Sequence, residues 1–482
     1  MFWEGSPRPP VGITAQGRGA IGRSYFPMTL PPSRKLRPEL PKGPFLVVGL
    51  ARSGQAAARL LVERGEAVVA VDSGFPEGAA GLREVGVEVV LDADGVALLE
   101  GVRTVVKSPG VPREAPVIAA ALQRGIDVVG ELELAWRAIP NRFVAVTGTN
   151  GKTTTVELLG HIYRSAAEPV AVAGNVGTPL SSLAGEIEPD ATVICEASSF
   201  QLEDSVAFAP ECAVFLNLAP DHLDRHGTLE DYLAAKLRIF ANQGNDDVAV
   251  YNADDPELAG VDLGGCGRRI AFCHGAAPDC EVAVAEGTIF YDGEPLLAVS
   301  ELGLFGAHNV ENAMAAAAAA LSMGLDREAV REGLRSFAGV PHRLEQVAEI
   351  DGVRFVNDSK ATNVASATVG LRAFDGGVRA ILGGSEKGES YAPLLDPVRE
   401  RCSACYLTGA SAGRLAEALA PVIAAGVDLH PCEDLEEAVR LAAAAAEPGE
   451  TVLLSPACAS FDAFENFEQR GERFRQIVAE LA

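Results

Sequence analysis

Residues 143–159 read FVAVTGTNGKTTTVELL, and few folds accommodate such a stretch. An apolar run enters a turn at Gly148, leaves it at Gly151, and continues through Lys152 and Thr153 into a helix-like pattern. A strand that turns on glycine and restarts as a helix gathers backbone N–H groups at one point, where the helix dipole is positive. That is a cradle for phosphate. In such a loop Gly148, Thr149, Asn150, Gly151 and Thr154 supply the wall, Lys152 reaches the β- and γ-phosphates of ATP, and Thr153 offers its hydroxyl to Mg²⁺. One position departs from GxxxxGK[ST]: Val146 stands where the first glycine belongs. Strand–turn–helix units of this type belong to parallel sheets with crossover helices, so the chain is expected to be α/β.

The length of 482 residues suggests three domains. Residues 1–43 hold seven Lys/Arg, two acids and eight prolines without apolar periodicity, and read as a disordered tail, with Met28 as an alternative start. FLVVGLARSG, from Phe45 to Gly54, then QAAARLLVERG and AVVAVD to Asp72, read as a β-α-β opening. Its Gly49-x4-Gly54 spacing is not the full dinucleotide fingerprint. This gives a Rossmann-like unit over 44–129, a P-loop-type unit over 130–339, and a second Rossmann-like unit over 340–482 whose apolar runs end at NDSKATN, GGSEKG, LTGA and SPACASF. Sheets in all three are expected to be mostly parallel, with ligands at the carboxyl ends of strands.

The formal charge of −26 argues against a nucleic-acid or anionic-membrane surface. No run reads as a membrane span; the alanine-rich stretch from Ala313 reads as a buried helix. Nine scattered cysteines do not suggest a disulfide framework, and Cys402 and Cys405 lack the second pair that a metal site needs. The N-terminus MFWEGSPRPP has no apolar signal core, and the chain is expected in the cytoplasm. Only seven of the 40 basic residues are lysines: 35, 42, 107, 152, 236, 360 and 387. Where arginine is the routine cation, a retained lysine marks a place that needs a removable proton or a compact charge.

Other motifs follow the phosphate loop. Glu196 ends the apolar run TVICE, where a carboxylate can ligate Mg²⁺ or orient water. Asn175 follows Gly174 after another apolar run. Asp221, His222, Asp224 and His226 form a cluster of potential metal ligands. Thr228 and Asp231 then open a helix on which Lys236 shares a face with Leu229, Tyr232 and Phe240. An inward lysine must be paired, neutralised or modified, and the residues alone leave open an ion pair or a carbamate made by CO₂ on the neutral amine. His308, Asn309 and Asn312 stand at a helix start, where they cap it or meet a nucleotide. His342 and Arg343 follow, the arginine able to contact phosphate. Asp358, Lys360 and Thr362, with Lys387, Ser460, Phe461 and Phe467, make a set suited to a zwitterion or dicarboxylate.

TGTNGKTT, the Glu196 strand, DHLDRH, the Lys236 helix, HNVEN, PHR and NDSKATN together resemble the Mur ligases of peptidoglycan synthesis, over residues 44–482. EASSFQL, NDSKATN and SPACASFDxFxNFExRG are most similar to the branch that adds D-glutamate. The resemblance implies an ATP-dependent ligase that couples D-glutamate to UDP-MurNAc-L-Ala through an acyl phosphate. It implies UDP binding in the first domain near Ser53, Asp72, Ser108 and Gly110, and ATP with two Mg²⁺ in the second. D-Glutamate would meet Lys360, Thr362, Lys387, Ser460 and Phe467 in the third, which closes on the ligands. In this family the lysine matching Lys236 is carbamylated and shares the second metal with the histidine matching His222. A monomer is expected. Folylpolyglutamate synthetase, or a sister enzyme adding another amino acid, shares the loop and metal residues and remains the alternative.

Overall fold

The computed structural model describes residue 33 and residues 35–275, 280–304, 306–386 and 388–481. Lys387, Met28 and most of the expected tail lie outside the described residues, and the side chain of Asp224 is likewise not described. Among the described residues three sheets form, each mainly parallel.

The first sheet is fully parallel, in the order Glu88–Leu91, Val68–Asp72, Phe45–Val48, Thr104–Lys107, Asp127–Gly130. The chain starts in mid-sheet and winds outward both ways, so the crevice opens where the order reverses, beside Phe45–Val48. Gly54 explains how the first helix, Arg52–Glu63, comes so near the turn: a Cβ there would lie 1.8 Å from the Gly49 carbonyl oxygen.

The second sheet has nine strands. Its parallel part runs Val170–Gly174, Thr192–Glu196, Arg142–Thr147, Cys212–Phe215, Val248–Asn252, Arg268–His274, Val282–Ala285. An antiparallel pair, Thr288–Tyr291 and Glu294–Ala298, finishes the edge. Arg142–Thr147 and Thr192–Glu196 are neighbours, which brings the phosphate loop beside Glu196. One face is covered by Lys152–Ser165 and the alanine-rich helix Ala307–Ser322, whose residues 313–320 are completely buried. Small side chains let that helix lie close to the sheet. The other face packs Glu131–Ala138 and Leu229–Leu237 around Trp136, Phe208 and Phe240.

The third sheet runs Glu345–Ile350, Val353–Asn357, Thr451–Leu454, Val378–Gly383, Cys402–Thr408, Asp428–Pro431, antiparallel only at its first pair. Val353–Asn357, Val378–Gly383 and Thr451–Leu454 lead into NDSKATN, GGSE and SPACASF.

Two expectations need correction. Residues 35–43 were expected within a disordered tail, yet this stretch is anchored. Lys35 Nζ lies 2.7 Å from Asp247 Oδ2 and donates to the Ala209 carbonyl. The Arg37 guanidinium stacks 4.4 Å from the Trp136 ring and donates to Glu211 and the Asn141 carbonyl. Composition without periodicity suggested disorder, but partners distant in sequence supply the order. The cysteines also differ from expectation in one place, since Cys273 and Cys280 form a disulfide. Cys402 and Cys405 are buried and unbridged, and their mutual hydrogen bond, with burial, pushes the Cys402 thiol well up.

Candidate active site

The loop between Arg142–Thr147 and Lys152–Ser165 is shaped by Gly148 at φ 152° and Gly151 at φ 83°. Asn217, which follows the neighbouring strand, clamps it. Thr149 N donates to the Asn217 carbonyl (2.9 Å), and Asn150 N to Asn217 Oδ1 (2.9 Å). Lys152 Nζ folds back onto the Gly148 and Thr149 carbonyls, each at 2.9 Å. Burial pushes its ammonium below the ordinary value, against the attraction of Glu196. Thr154 lines the cleft beyond the loop.

Thr153 and Glu196 meet directly, the threonine hydroxyl donating to Glu196 Oε2 at 2.8 Å. Asn175 Nδ2 donates to Oε1 of the same carboxylate at 2.9 Å. Glu196 is buried, and these partners are neutral. A hydroxyl and a carboxylate side by side are hard oxygen donors, and phosphate oxygens would complete the set that Mg²⁺ prefers. The donor set thus fits that ion.

Lys236 is 1% exposed. Its Nζ donates to the Gly148 carbonyl at 2.7 Å and sits 4.5 Å from the Tyr232 ring centre. Burial, then the nearby Lys152 charge, pushes its pKa well below the ordinary lysine value. Thr228 caps the helix that carries it, accepting from Asp231 N. His222 stands apart, half-exposed at φ 52°, with Nε2 3.5 Å from Asp221 Oδ2 and its ring 4.9 Å from Phe200. His226 stacks on the same phenylalanine at 5.3 Å and meets the Ser199 hydroxyl at 2.9 Å. Among the described residues no group of three His, Cys, Asp or Glu side chains forms a ready metal site.

Two clefts adjoin the loop. One, of about 450 Å³, has Thr149, Asn150, Asp221 and His222 on one wall, and Arg343, Asp358 and Lys360 on the other. The second, of about 550 Å³, is lined by Asn150, Gly151, Thr154, His308, Asn309 and Arg343, among others. The N-cap residue of their helix is Gly306, and Asn309 and Asn312 lie within its first two turns. Asn312 Nδ2 donates to Asn309 Oδ1 (3.0 Å), and Asn312 Oδ1 accepts from the Thr155 hydroxyl (3.2 Å). Burial, then Arg343, pushes the His308 imidazole below its ordinary pKa.

In the third unit, Asp358 accepts from the Ser455 hydroxyl (2.8 Å) and Leu344 N (3.2 Å). Burial pushes its carboxyl up to about 7. Lys360 Nζ lies 6.0 Å from the Phe467 ring, and Thr362 follows in the same turn. Ser460 is buried at the end of its loop, whereas Phe461 is 73% exposed and points away from the core. His342 turns inward: its Nδ1 meets Asn357 Nδ2 at 3.0 Å, and it lines neither cleft. In the first unit the Asp72 carboxylate accepts from Leu50 N (2.6 Å) and Gly74 N (2.8 Å), and Ser108 donates to the Gly49 carbonyl (2.9 Å). Ser53 opens the adjacent helix and Gly110 lies exposed in the loop after Ser108. Asn217 was missed by sequence reasoning; its only signal was its position just past the run AVFL.

A glycine-shaped loop, a lysine and a threonine–glutamate pair at the carboxyl ends of a parallel sheet define the phosphate-loop class. Family profiles are more specific. That of the Mur ligase middle domain matches residues 146–320, that of the Mur ligase glutamate ligase domain residues 342–458, and that of the MurD-like N-terminal domain residues 44–130. The chain belongs to the Mur ligase family. It is 44% identical over 445 residues to UDP-N-acetylmuramoylalanine--D-glutamate ligase of Pelotomaculum thermopropionicum, covering 90% of this chain and 97% of that one. Its fold is similar to that of UDP-N-acetylmuramate-alanine ligase from Thermotoga maritima (TM-score 0.56, 20% identity, 91% and 99% covered). It is also similar to that of the MurF ligase from Thermotoga maritima, solved in complex with ADP (TM-score 0.53, 20% identity, 92% and 97% covered).

Proposed function

We propose that this chain joins D-glutamate to UDP-N-acetylmuramoyl-L-alanine with cleavage of ATP to ADP and phosphate. One observation carries the reading: the phosphate loop faces Arg343 and Lys360 across a single cleft. The name borne by the Pelotomaculum relative supplies the particular amino acid.

The chemistry divides into two steps. An oxygen of the L-alanine carboxylate attacks the γ-phosphorus, ADP leaves, and an acyl phosphate forms. The D-glutamate amine then attacks the carbonyl carbon, loses a proton, and phosphate departs with the C–O bonding pair. All the reactants are anions, so the protein's part is alignment and neutralisation. Gly148, Thr149, Asn150, Gly151 and Thr154 hold the triphosphate through the loop, and Lys152 swings from its two carbonyls toward the γ-phosphate. Asn309 and His308 hold the nucleoside side, and Arg343 reaches phosphate from the third unit. Thr153 and Glu196 would hold a magnesium ion, with His222 and Lys236 at a second. When bound, these ions neutralise charge on the transferring phosphoryl group.

We read Lys236 as a carbamate. Its buried, depressed amine can add CO₂ to give RNHCOO⁻ and a proton, replacing an unfavourable buried ammonium by a ligand for a hard cation. The nucleotide-sugar would sit against Ser53, Asp72, Ser108 and Gly110, with its peptide end near Asn175. D-Glutamate would meet Asp358, Lys360, Thr362, Lys387, Ser460 and Phe467, whereas His342, turned in beside Asn357, and Phe461, turned out to solvent, take no part. We take the chain to act as a monomer in the cytoplasm, where nucleotide substrates are available. Among the described residues no helix is long and apolar enough to cross a membrane.

The test is phosphate release from ATP and UDP-MurNAc-L-Ala with D-glutamate, L-glutamate, L-lysine or diaminopimelate as second substrate. Release that depends on D-glutamate, with the ligated product seen by mass, is the expected result. Release with a different amino acid would overturn the assignment of the third unit.

A further inference from the structure

Of the lysines that sequence singled out, Lys107 has no part in the proposed chemistry, yet it is completely buried. It ends the strand Thr104–Lys107 of the first unit, but its ammonium is held largely by the second. Nζ lies 2.7 Å from Asp204 Oδ2 and 3.4 Å from Glu203 Oε1, and it donates to the Val111 carbonyl at 2.8 Å. An ammonium has three protons, and these partners use all three. Arg225 binds the same two acceptors, Glu203 Oε1 at 2.8 Å and the Val111 carbonyl at 3.1 Å. Arg113 approaches Asp204 Oδ1 at 3.9 Å. The unit junction is also tight in its backbone: Gly130 N donates to the Asp204 carbonyl at 3.1 Å, and a Cβ on Gly130 would lie 3.2 Å from Asp204 Cβ.

Two segments of the proposed site meet at this ammonium, and a third joins them through Arg225, which shares its acceptors. Val111 closes the Ser108-Pro109-Gly110 loop. Glu203 and Asp204 directly follow the short helix Ser199–Leu202, itself just past Glu196. Arg225 lies in Leu223–His226, the helix for which His222 is the N-cap residue. Its guanidinium covers the Phe200 ring at 4.7 Å, the same ring against which His222 and His226 pack. A shift of Lys107 would therefore move the nucleotide-sugar loop and the His222 segment relative to each other.

We propose that Lys107 is a positioning residue, which holds the Ser108-Pro109-Gly110 loop in register with the Glu196 and His222 segments so that the acceptor carboxylate meets the γ-phosphate. The inference rests on the ligase reading above. A compact ammonium with radially spread donors suits a junction of one carbonyl and two carboxylates; the flat fork of arginine does not. Alignment of two bound reactants acts on the chemical step and leaves the separate binding of each nearly unchanged.

The experiment compares the full chain with Lys107→Met, Lys107→Arg and Glu203→Gln. Steady-state kinetics and direct binding of ATP and of UDP-MurNAc-L-Ala are measured, with hydrogen exchange over residues 108–115, 146–155 and 220–228. For Lys107→Met we expect kcat to fall at least about tenfold while either binding constant changes less than about twofold. Exchange should quicken over 108–115 and 220–228 together and stay unchanged over 146–155. Lys107→Arg should recover only part of the loss. Glu203→Gln keeps shape and leaves Lys107 paired with Asp204 but neutralises the carboxylate that Lys107 and Arg225 share; it should give a loss in the same direction, and it stands in should Lys107→Met fail to fold. Wild-type kcat in the folded variants would overturn the proposal, as would exchange that quickens evenly along the chain. Absence of D-glutamate-dependent turnover in the unmodified protein would instead sink the ligase reading, and the exchange pattern would still decide whether Lys107 couples the two segments.

Discussion

Replacing Gly151 by alanine tests the geometry of the phosphate loop. Gly151 sits at φ 83°, and an alanine there costs about 1–2 kcal/mol in backbone strain. The new Cβ would lie 2.2 Å from Asn312 Oδ1, 3.1 Å from its Cγ and 3.2 Å from Leu216 Cδ1. Asn312 must move, and its buried bonds to Thr155 and Asn309 go with it. Each lost bond costs about 1 kcal/mol net, and more where a partner stays buried and unsatisfied. The total is about 3–5 kcal/mol. For a unit of this size it lowers the melting temperature by on the order of 10 °C. Calorimetry reads that term, and equilibrium binding of ATP reads the displaced loop, with affinity expected to fall at least about tenfold because the loop amides no longer converge. The double variant Gly151→Ala/Asn312→Ala removes the collision and keeps the strain. Its destabilisation should therefore be less than the sum of the two single variants by more than about 1 kcal/mol. A melting point within about 2 °C of wild type for Gly151→Ala, or strict additivity in the double variant, would refute this account.

Other expectations follow from the same contacts. Glu196→Gln keeps the shape of the Thr153 and Asn175 partners but removes the charge, and should lower kcat by about 10²-fold or more and raise the Mg²⁺ concentration for half-maximal turnover; an unchanged Mg²⁺ titration would count against the assigned site. Carbamate formation at Lys236 releases a proton, so acid reverses it: ¹³C label from bicarbonate and activity should decline together as pH is lowered, and both should be missing in Lys236→Arg. Full activity in CO₂-free buffer without label would reject that. Asp358, with a folded pKa of about 7 against about 3.9 unfolded, binds its proton more tightly when folded, so stability falls as pH rises between those values. The melting temperature of Asp358→Asn relative to wild type should therefore rise from pH 4 to pH 8, and a difference independent of pH would refute it. Arg37→Ala removes a guanidinium stacked on Trp136 and bonded to the Asn141 carbonyl, and should cost about 2–3 kcal/mol by chemical denaturation.

Much of the site was legible because its determinants are local or follow from parallel topology. The phosphate loop is written in consecutive residues, and Glu196 ends a strand that a doubly wound sheet brings to the same edge. Helical spacing alone put Lys236 on the inward face of its helix, where it is buried. What escaped depends on side chains that meet across long separations. Asn217 clamps Asn150 from 67 residues away, and no spacing rule reveals it. His342 and Phe461 adjoin readable motifs, but backbone turns send one inward beside Asn357 and the other into solvent. The lysines show the limit most directly. Their rarity marked seven positions, and burial separates their kinds. Lys152 and Lys236 share the Gly148 carbonyl, Lys35 pins the N-terminal segment before the first strand to Asp247, and Lys107 joins two units through Asp204. A sequence can show that an amine is required at each place; the acceptors 96 and 212 residues away that make Lys107 and Lys35 necessary appear only when the chain is folded.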